Sequence, residues 1–355
     1  MGQTELYAAG FNAWNQVILK PKTRRRNTPR EVHTSKEVRA FAEPEDVHKF
    51  TSVVGRLFND VKDVESCLSY TLVTTATGTT IRGTPSPEQK ALHASPARAS
   101  YRLIAQAANG KVAVCDHDDN IRVYDTAKRL LRNEEYLIFP GFSNITQLVA
   151  YEVGFAALDR EGRVRTWGDE RFPQCLGRDL LRTSSAHWPG RVTDIEDLPT
   201  GEIVKIAANG YTLGALTEGG DLYCWGGHPA KPPIIDGLDG TPNLVDIDGG
   251  DIVDFGIGDY HMIALTDDDR VMVIGSNTNG QLGIPVEKAT TWTEVPFELG
   301  EESAVMAVRA GPRTSFLIIE NDWDAAEILS SDSDEEDWPE HRLPALGGEI
   351  EMEDA

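Results

Sequence analysis

The sequence predicts an all-β fold: a closed β-propeller of six blades in which the N-terminal strands complete the last blade. Three observations predict it. The first is an interval that recurs down the chain. An apolar residue closes one strand, a turn rich in Gly, Asp or Thr follows, and ten residues on the next strand ends. The pairs are Val73 and Gly83, Val114 and Tyr124, Leu158 and Gly168, Leu216 and Gly226, and Leu265 and Gly275. The second is the period of the whole unit, since these strand ends lie 41, 44, 58 and 49 residues apart. Fixed periods of this length mark repeat architectures, and a three- or four-stranded unit covers both its faces only by stacking on its neighbours. The third is the pair of chain ends. Residues 6–10 are apolar with no strand group before them, and residues 305–319 form a strand group whose chain then turns acidic. Each end supplies what the other lacks, and joining them removes two open sheet edges.

Each element follows from its own residues. Six strand groups begin, near Val61, Ile104, Ile145, Ile203, Ile252 and Val305. The unit at 203–226 is the clearest. Residues 203–207 and 213–216 are rich in strand formers and are broken by Asn209-Gly210, a strong hairpin signal. Residues 145–150, 252–255 and 305–308 are equivalent strand starts, and 61–68 is a more polar version. The blade number stays open to seven, should the stretches 17–60 or 177–202 hold a degenerate copy.

Bulk properties narrow the class. A chain of 355 residues can bury one large propeller domain, here residues 1–320, followed by an acidic tail, 321–355. No apolar run approaches a membrane span and the N-terminus has no signal-peptide pattern, so an intracellular protein, nuclear or cytoplasmic and not secreted, is expected. Cys67, Cys115, Cys175 and Cys224 show no short paired spacing, which argues against a metal site and a disulfide framework. Formal net charge is −23; the tail holds thirteen Asp or Glu against Arg342 alone, a balance of −12 that leaves −11 for the body. An acidic body lacks the clustered cations that phosphate contacts require, so broad nucleic-acid binding is not expected.

Three segments stand outside the repeat. The first is a basic loop, 20–30, with Lys20, Lys22, Arg24, Arg25, Arg26 and Arg30. Six cations and two prolines in eleven residues cannot form a buried strand. They suit a nuclear-localisation signal or a clamp for an acidic surface, and equally a solvated loop. The second is the tail. Ser330, Ser331 and Ser333 sit just before acidic residues, a context for an acid-directed kinase, and each phosphate would add about −1.5 to −2 charges. Trp323 and Trp338 bracket the run, and tryptophan is an anchor residue at interfaces. The tail reads as a docking segment for a basic partner, as an intramolecular mask for residues 20–30, or as an inert terminus. The third is the Pro- and Ser-rich stretch 83–100, expected to be an exposed linker with phosphorylation candidates Ser86 and Ser95.

No catalytic constellation stands out: the sequence has no P-loop, no His-Glu-x-x-His and no Gly-x-Ser-x-Gly. Asp116-His117-Asp118-Asp119 has the composition of a metal cluster. It falls in a hairpin turn, where Asp and Asn bond their own backbone. A non-enzymatic protein without cofactor is expected, working as a monomer through its surface.

Two segments carry a family resemblance. Gly275-Ser276-Asn277-Thr278-Asn279-Gly280-Gln281-Leu282-Gly283 and the upstream Gly258-Asp259-Tyr260-His261-Met262-Ile263-Ala264-Leu265-Thr266 resemble the two signatures of the regulator of chromosome condensation repeat family. Residues 10–16 align with 275–281, Trp167-Gly168 and Trp225-Gly226 fit, and Gln174-Cys175-Leu176-Gly177 is a degenerate echo. One complete Gly-Gln-Leu-Gly and one signature histidine make this a divergent member. The resemblance implies a propeller and a hydrogen-bonding role for His261 within its blade. The family spans an exchange factor for a nuclear GTPase, chromatin adaptors, ubiquitin-ligase modules and accessory proteins of tRNA modification. Fold does not choose among them. The leading expectation is a scaffold or adaptor in a nuclear or cytoplasmic complex, with a chromatin protein among its candidate partners. The others are a guanine-nucleotide exchange factor for a small nuclear GTPase and an accessory subunit in tRNA or translation-factor modification.

Overall fold

The computed structural model describes residues 3–17, 44–53, 60–94, 99–180, 185–297, 299–300 and 303–321. Strands β1 (Gln3–Gly10) and β2 (Val47–Ser52) open the chain. Blade 1 comprises β3 (Val61–Ser66), β4 (Tyr70–Thr75) and β5 (Gly78–Gly83), and helix α1 (Pro87–Ala94) follows it. Blade 2 comprises β6 (Tyr101–Gln106), β7 (Val112–Asp116) and β8 (Ile121–Tyr124), then helix α2 (Ala127–Leu131) and β9 (Leu137–Phe139). Blade 3 holds β10 (Ile145–Tyr151), β11 (Gly154–Asp159), β12 (Val164–Gly168) and β13 (Gly190–Arg191). Blade 4 holds β14 (Ile203–Asn209), β15 (Thr212–Thr217), β16 (Leu222–Gly226) and β17 (Asn243–Val245). Blade 5 holds β18 (Ile252–Ile257), β19 (His261–Thr266), β20 (Val271–Ser276) and β21 (Lys288–Glu294). The last strands are β22 (Ser303–Gly311) and β23 (Thr314–Asn321).

The six sheets are antiparallel, and the sixth runs β2-β1-β23-β22. There β1 pairs with β23 from Gln3 opposite Asn321 to Gly10 opposite Thr314. The N-terminal strands therefore complete the blade begun by the C-terminal ones, as the chain ends require. The two stretches that left a seventh blade open hold outer strands instead: β2 of blade 6 and β13 of blade 3.

Alternation along the strands builds the core. Leu213, Ala215 and their sheet neighbour Trp225 face blade 3, where they share a core with Leu158 and Val164. Leu216, Leu222 and Cys224 face blade 5, where they meet Phe255, Met262 and Ala264. The same two-residue period turns Ile263 and Leu265 toward Leu317 and Ile319 of blade 6. Both faces of a blade are thus buried, and each Leu, Ile, Phe, Val or Met side chain so covered stabilises the ring by about 1.5–3 kcal/mol. Strand-ending glycines follow from close backbone approach. Gly226 and Gly275 have φ of +117° and +108°, and a Cβ on either would lie 2.2 Å from Tyr211 O or 2.3 Å from Tyr260 O.

Stretch 83–100 departs from the expected linker, because it contains α1. Ser86 Oγ accepts the amide of Gln89 at 3.2 Å, and Gln89 Oε1 accepts the amide of Ser86 at 2.8 Å. This capping box, with Pro87 in the first turn, starts a helix where the prolines alone suggested a loop. Leu92 is buried against Val112, Val114, Tyr124, Ala127 and Leu130 of blade 2. His93 Nε2 lies 3.1 Å from the hydroxyl of Tyr70 in blade 1. The helix fills the junction beside the three-stranded blade and ties it to the next.

Candidate functional site

The signature residues serve the ring itself. In the loop after β20, Asn277 Oδ1 accepts the amide of Leu282 at 2.8 Å and Gln281 Oε1 that of Asn279 at 2.8 Å. In the loop after β1, Asn12 Oδ1 accepts the amide of Val17 at 3.0 Å and Gln16 Oε1 that of Trp14 at 2.9 Å. Asp46 joins the two loops, taking the amide of Asn12 at 3.0 Å and the side-chain amide of Asn279 at 2.8 Å. Gln16 Nε2 then reaches the carbonyl of Leu68 in blade 1 at 3.1 Å. His261 is fully buried, with Nε2 3.0 Å from Ser315 Oγ, and Ser315 donates its own proton to Gln281 O at 2.7 Å. The imidazole must therefore donate from Nε2. Burial holds its pKa down, to about 4, so it is neutral at ordinary pH.

One rim of the ring is formed by the turns between second and third strands. Asp116 Oδ1 accepts the amides of Asp118 and Asn120 at 3.0 and 2.9 Å, and Asp159 Oδ1 those of Glu161 and Arg163 at 3.1 and 3.0 Å. Thr217 and Thr266 take the same place, accepting the amides of Asp221 and Arg270. Burial works to raise the Asp116 carboxyl, but the donors of Asn120 and Asp118 and the charge of Arg122 outweigh it and hold it low. The 116–119 run is therefore a turn device. This rim is rich in carboxylates, among them Asp118, Glu161, Glu218, Asp251, Asp267 and Asp269. Strand β23 ends on it at Asn321.

The opposite rim, formed by turns between first and second strands and by the signature loops, differs in chemistry. Its turns are laced together: Asn109 N to Glu152 O at 3.0 Å, Glu152 N to Gly210 O at 2.7 Å, and Asp259 N to Pro312 O at 3.0 Å. Aromatic and cationic side chains from four blades line it. The Phe172 and Tyr211 rings stand 5.0 Å apart, and Tyr211 and His228 4.7 Å. Lys231 Nζ donates to the Tyr260 hydroxyl at 3.0 Å, and Arg313 lies over the Phe11 ring at 5.8 Å. Trp14 and Tyr260 are half-exposed. Asp259 sits among them; burial, and then the charge of Glu152, push its pKa up to about 6 against the pull of Arg313 and Lys231. The described chain stops at Val17 and resumes at Pro44 on this rim. The predicted binding residues Lys20, Lys22, Arg24, Arg25, Arg26 and Arg30 fall between these points, outside the described residues. Trp323, Trp338, Ser330, Ser331, Ser333 and Ser95 lie outside them as well.

Inside the ring, the first strands of four blades are joined by charge. Lys205 of β14 pairs with Asp254 of β18; Asp254 Oδ2 accepts from Arg309 of β22 at 2.7 Å, and Arg309 Nε donates to Asp63 of β3 at 2.7 Å. Beyond Lys205, Gln147 of β10 bonds both Val204 O and the Ile206 amide at 2.9 Å. Sequence reasoning missed this belt and the aromatic rim, because their members are far apart in the chain and meet only when the blades stack and the ring closes. The cysteines take no part. Burial raises the thiols of Cys175 and Cys67 to about 12 and that of Cys115 to about 11.

A closed six-bladed β-propeller with these loops defines a repeat protein whose signature residues are structural. The sequence profile of the Regulator of chromosome condensation (RCC1) repeat matches residues 252–281, which hold the His261 and Asn277 motifs. The human E3 ubiquitin-protein ligase HERC2 is 32% identical over 177 residues, covering 44% of this chain and 3% of that protein. Protein pim1 of Schizosaccharomyces pombe is 30% identical over 166 residues, covering 44% of this chain and 29% of pim1. Among solved structures, Prp20p of Saccharomyces cerevisiae superposes with a TM-score of 0.62 at 13% identity, over 94% of this chain and 95% of that one. The chain is a six-bladed propeller that carries a regulator of chromosome condensation repeat at residues 252–281 and shares its fold with Prp20p. It spans only a fraction of the length of the curated relatives it matches.

Proposed function

We propose that this propeller is a protein-interaction platform, a scaffold or adaptor, that engages its partner through the aromatic and cationic rim. The line from Phe11 and Arg313 through Tyr260 and Lys231 to His228 and Tyr211 carries this reading. Tyr, Trp and Arg are the side chains that dominate interface energetics, and here they stand on a scaffold fixed by turn-to-turn hydrogen bonds. The carboxylates of the other rim orient a charged partner toward this face. The test is affinity purification at low salt with partners identified by mass spectrometry, comparing the natural chain with Trp14→Ala/Tyr260→Ala and with Glu218→Gln/Asp267→Asn. Loss of a stoichiometric partner in the first variant alone supports the reading. Retention in the first and loss in the second overturns it.

A second reading is a guanine-nucleotide exchange factor for a small nuclear GTPase. It is favoured by the likeness to Prp20p over nearly the whole chain, since that structure is described with its binding to Gsp1p and histones. The observable is release of labelled GDP from such a GTPase. Acceleration that Tyr260→Ala reduces supports exchange at this rim, and an unchanged release rate rejects it. The same description makes histones the first chromatin partners to try.

A further inference from the structure

The innermost strand of every blade breaks register at the same place, and the residue at the break is exposed. These residues are Lys62, Arg102, Thr146, Val204, Val253 and Met306. Each innermost strand has a sheet neighbour on one side only, and consecutive ones touch through Gln147 on Val204 O, Lys205 on Phe255 O and Asp254 on the Val308 amide. The six exposed residues therefore ring the mouth of the central channel at the acidic rim. The ring is two-sided. Val204, Val253 and Met306, on three consecutive blades, are 48%, 55% and 51% exposed. Lys62 and Arg102 stand on the other side; Arg102 is paired with Asp119, and Lys62 has no ion pair among the described residues. A mouth with three apolar residues on one side and Lys62, unpaired among the described residues, on the other fits a short chain that is itself apolar and acidic.

The geometry points to residues 322–329 of this chain as its occupant. Their sequence, Asp-Trp-Asp-Ala-Ala-Glu-Ile-Leu, alternates three carboxylates with five apolar side chains. The segment starts at the right place. Asn321 accepts from Ser303 Oγ at 2.8 Å, three residues before Met306 on the same inner strand. Trp323 is two residues further, a reach of about 7 Å, and eight residues extend to about 26 Å, enough to pass three blades spaced roughly 10 Å apart. Trp323 then covers Met306 and Val253, Ile328 and Leu329 reach toward Val204, and the carboxylates face Lys62. The surrounding rim repels an acidic segment, so the mouth is where it meets least opposition. Docking there leaves the aromatic rim free, so it stands independently of the partner reading above.

The experiment uses the full chain with a photoreactive p-benzoylphenylalanine in place of Trp323, illuminated in dilute solution, with adducts mapped by mass spectrometry. The expected result is an intramolecular adduct concentrated on Met306 and Val253. Val253→Glu with Met306→Glu lowers its yield about tenfold. Lys62→Glu, an exposed change that spares the apolar side, lowers it as well. The same probe at position 338 gives no mouth adduct. Adducts scattered over the surface, falling on residues 20–30, or joining two chains overturn the assignment.

Discussion

Asn12 and Asn277, 265 residues apart, make the same bond at the same point of two blades: each side-chain oxygen accepts the main-chain amide five residues on, at 3.0 and 2.8 Å. Asn277 adds donations to Ile284 O at 2.7 Å and Val286 O at 2.6 Å, whereas Asn12 adds only Glu45 O at 3.4 Å. Replacing a buried partner leaves its mates unsatisfied, at about 1–3 kcal/mol for each group. Asn277→Ala therefore costs more than Asn12→Ala in urea unfolding, by about 1–2 kcal/mol. Equal losses would show that the second loop owes its fold to the chain around it.

Leu92 is the apolar contact of α1 with blade 2, so the junction beside blade 1 rests on it. Leu92→Ala should lower stability by about 2–5 kcal/mol. Ser86→Ala removes the cap and costs about 1 kcal/mol. If α1 were a passive linker, both would unfold at the natural urea midpoint. Limited proteolysis within residues 95–98 would report the same opening at lower denaturant.

Helix α1 marks where the sequence stopped being legible. The strands could be read because Leu216, Leu265 and their counterparts sit at a fixed interval, and because each blade needs both faces apolar. The closing pair β1–β23 followed from two incomplete ends. Helix α1 was hidden because Pro85, Pro87 and Pro96 dominate a stretch whose Ser86–Gln89 capping box is the quieter signal. Strand β2 was hidden because its buried residues Val47 and Phe50 stand three apart, off the two-residue strand period, with polar His48 and Lys49 between them. The rims were illegible for another reason. Lys231 and Tyr260 acquire a relation only when blades 4 and 5 stack, and Phe11 and Arg313 only through ring closure, which no local pattern encodes.

His261 sets an acid limit on blade 5. An ordinary imidazole titrates near 6.5, while burial holds this one at about 4. Between these values the unfolded chain binds a proton that the folded chain does not, so stability falls as pH drops from about 6.5 to about 4. The contribution is flat outside that window and amounts to at most about 3 kcal/mol. His261→Gln can still donate to Ser315 but cannot titrate. Urea midpoints at pH 7.5 and 4.5 decide the matter: the natural protein should lose more on acidification than the variant. Parallel losses would assign the acid sensitivity elsewhere.

The charged belt gives two opposite expectations from one chain of ion pairs. The Asp254 side chain is 12% exposed and holds Lys205, Arg309 and the amides of Phe255 and Val308. Asp254→Asn keeps its shape but takes the carboxylate from the largely buried Lys205 and leaves Arg309 with the exposed Asp63, and breaking such a buried pair costs about 3–5 kcal/mol. Asp63, 57% exposed, pairs with Arg309 at the surface, and Asp63→Asn should cost about 0–1 kcal/mol. Salt sharpens the contrast, because screening reaches the exposed pair and spares the enclosed one. In 1 M NaCl the Asp63 effect should vanish and the Asp254 effect persist in urea unfolding. An Asp254 loss that disappears with salt would mean that water fills the channel to the depth of β18, and that the four blades are held by their apolar faces alone.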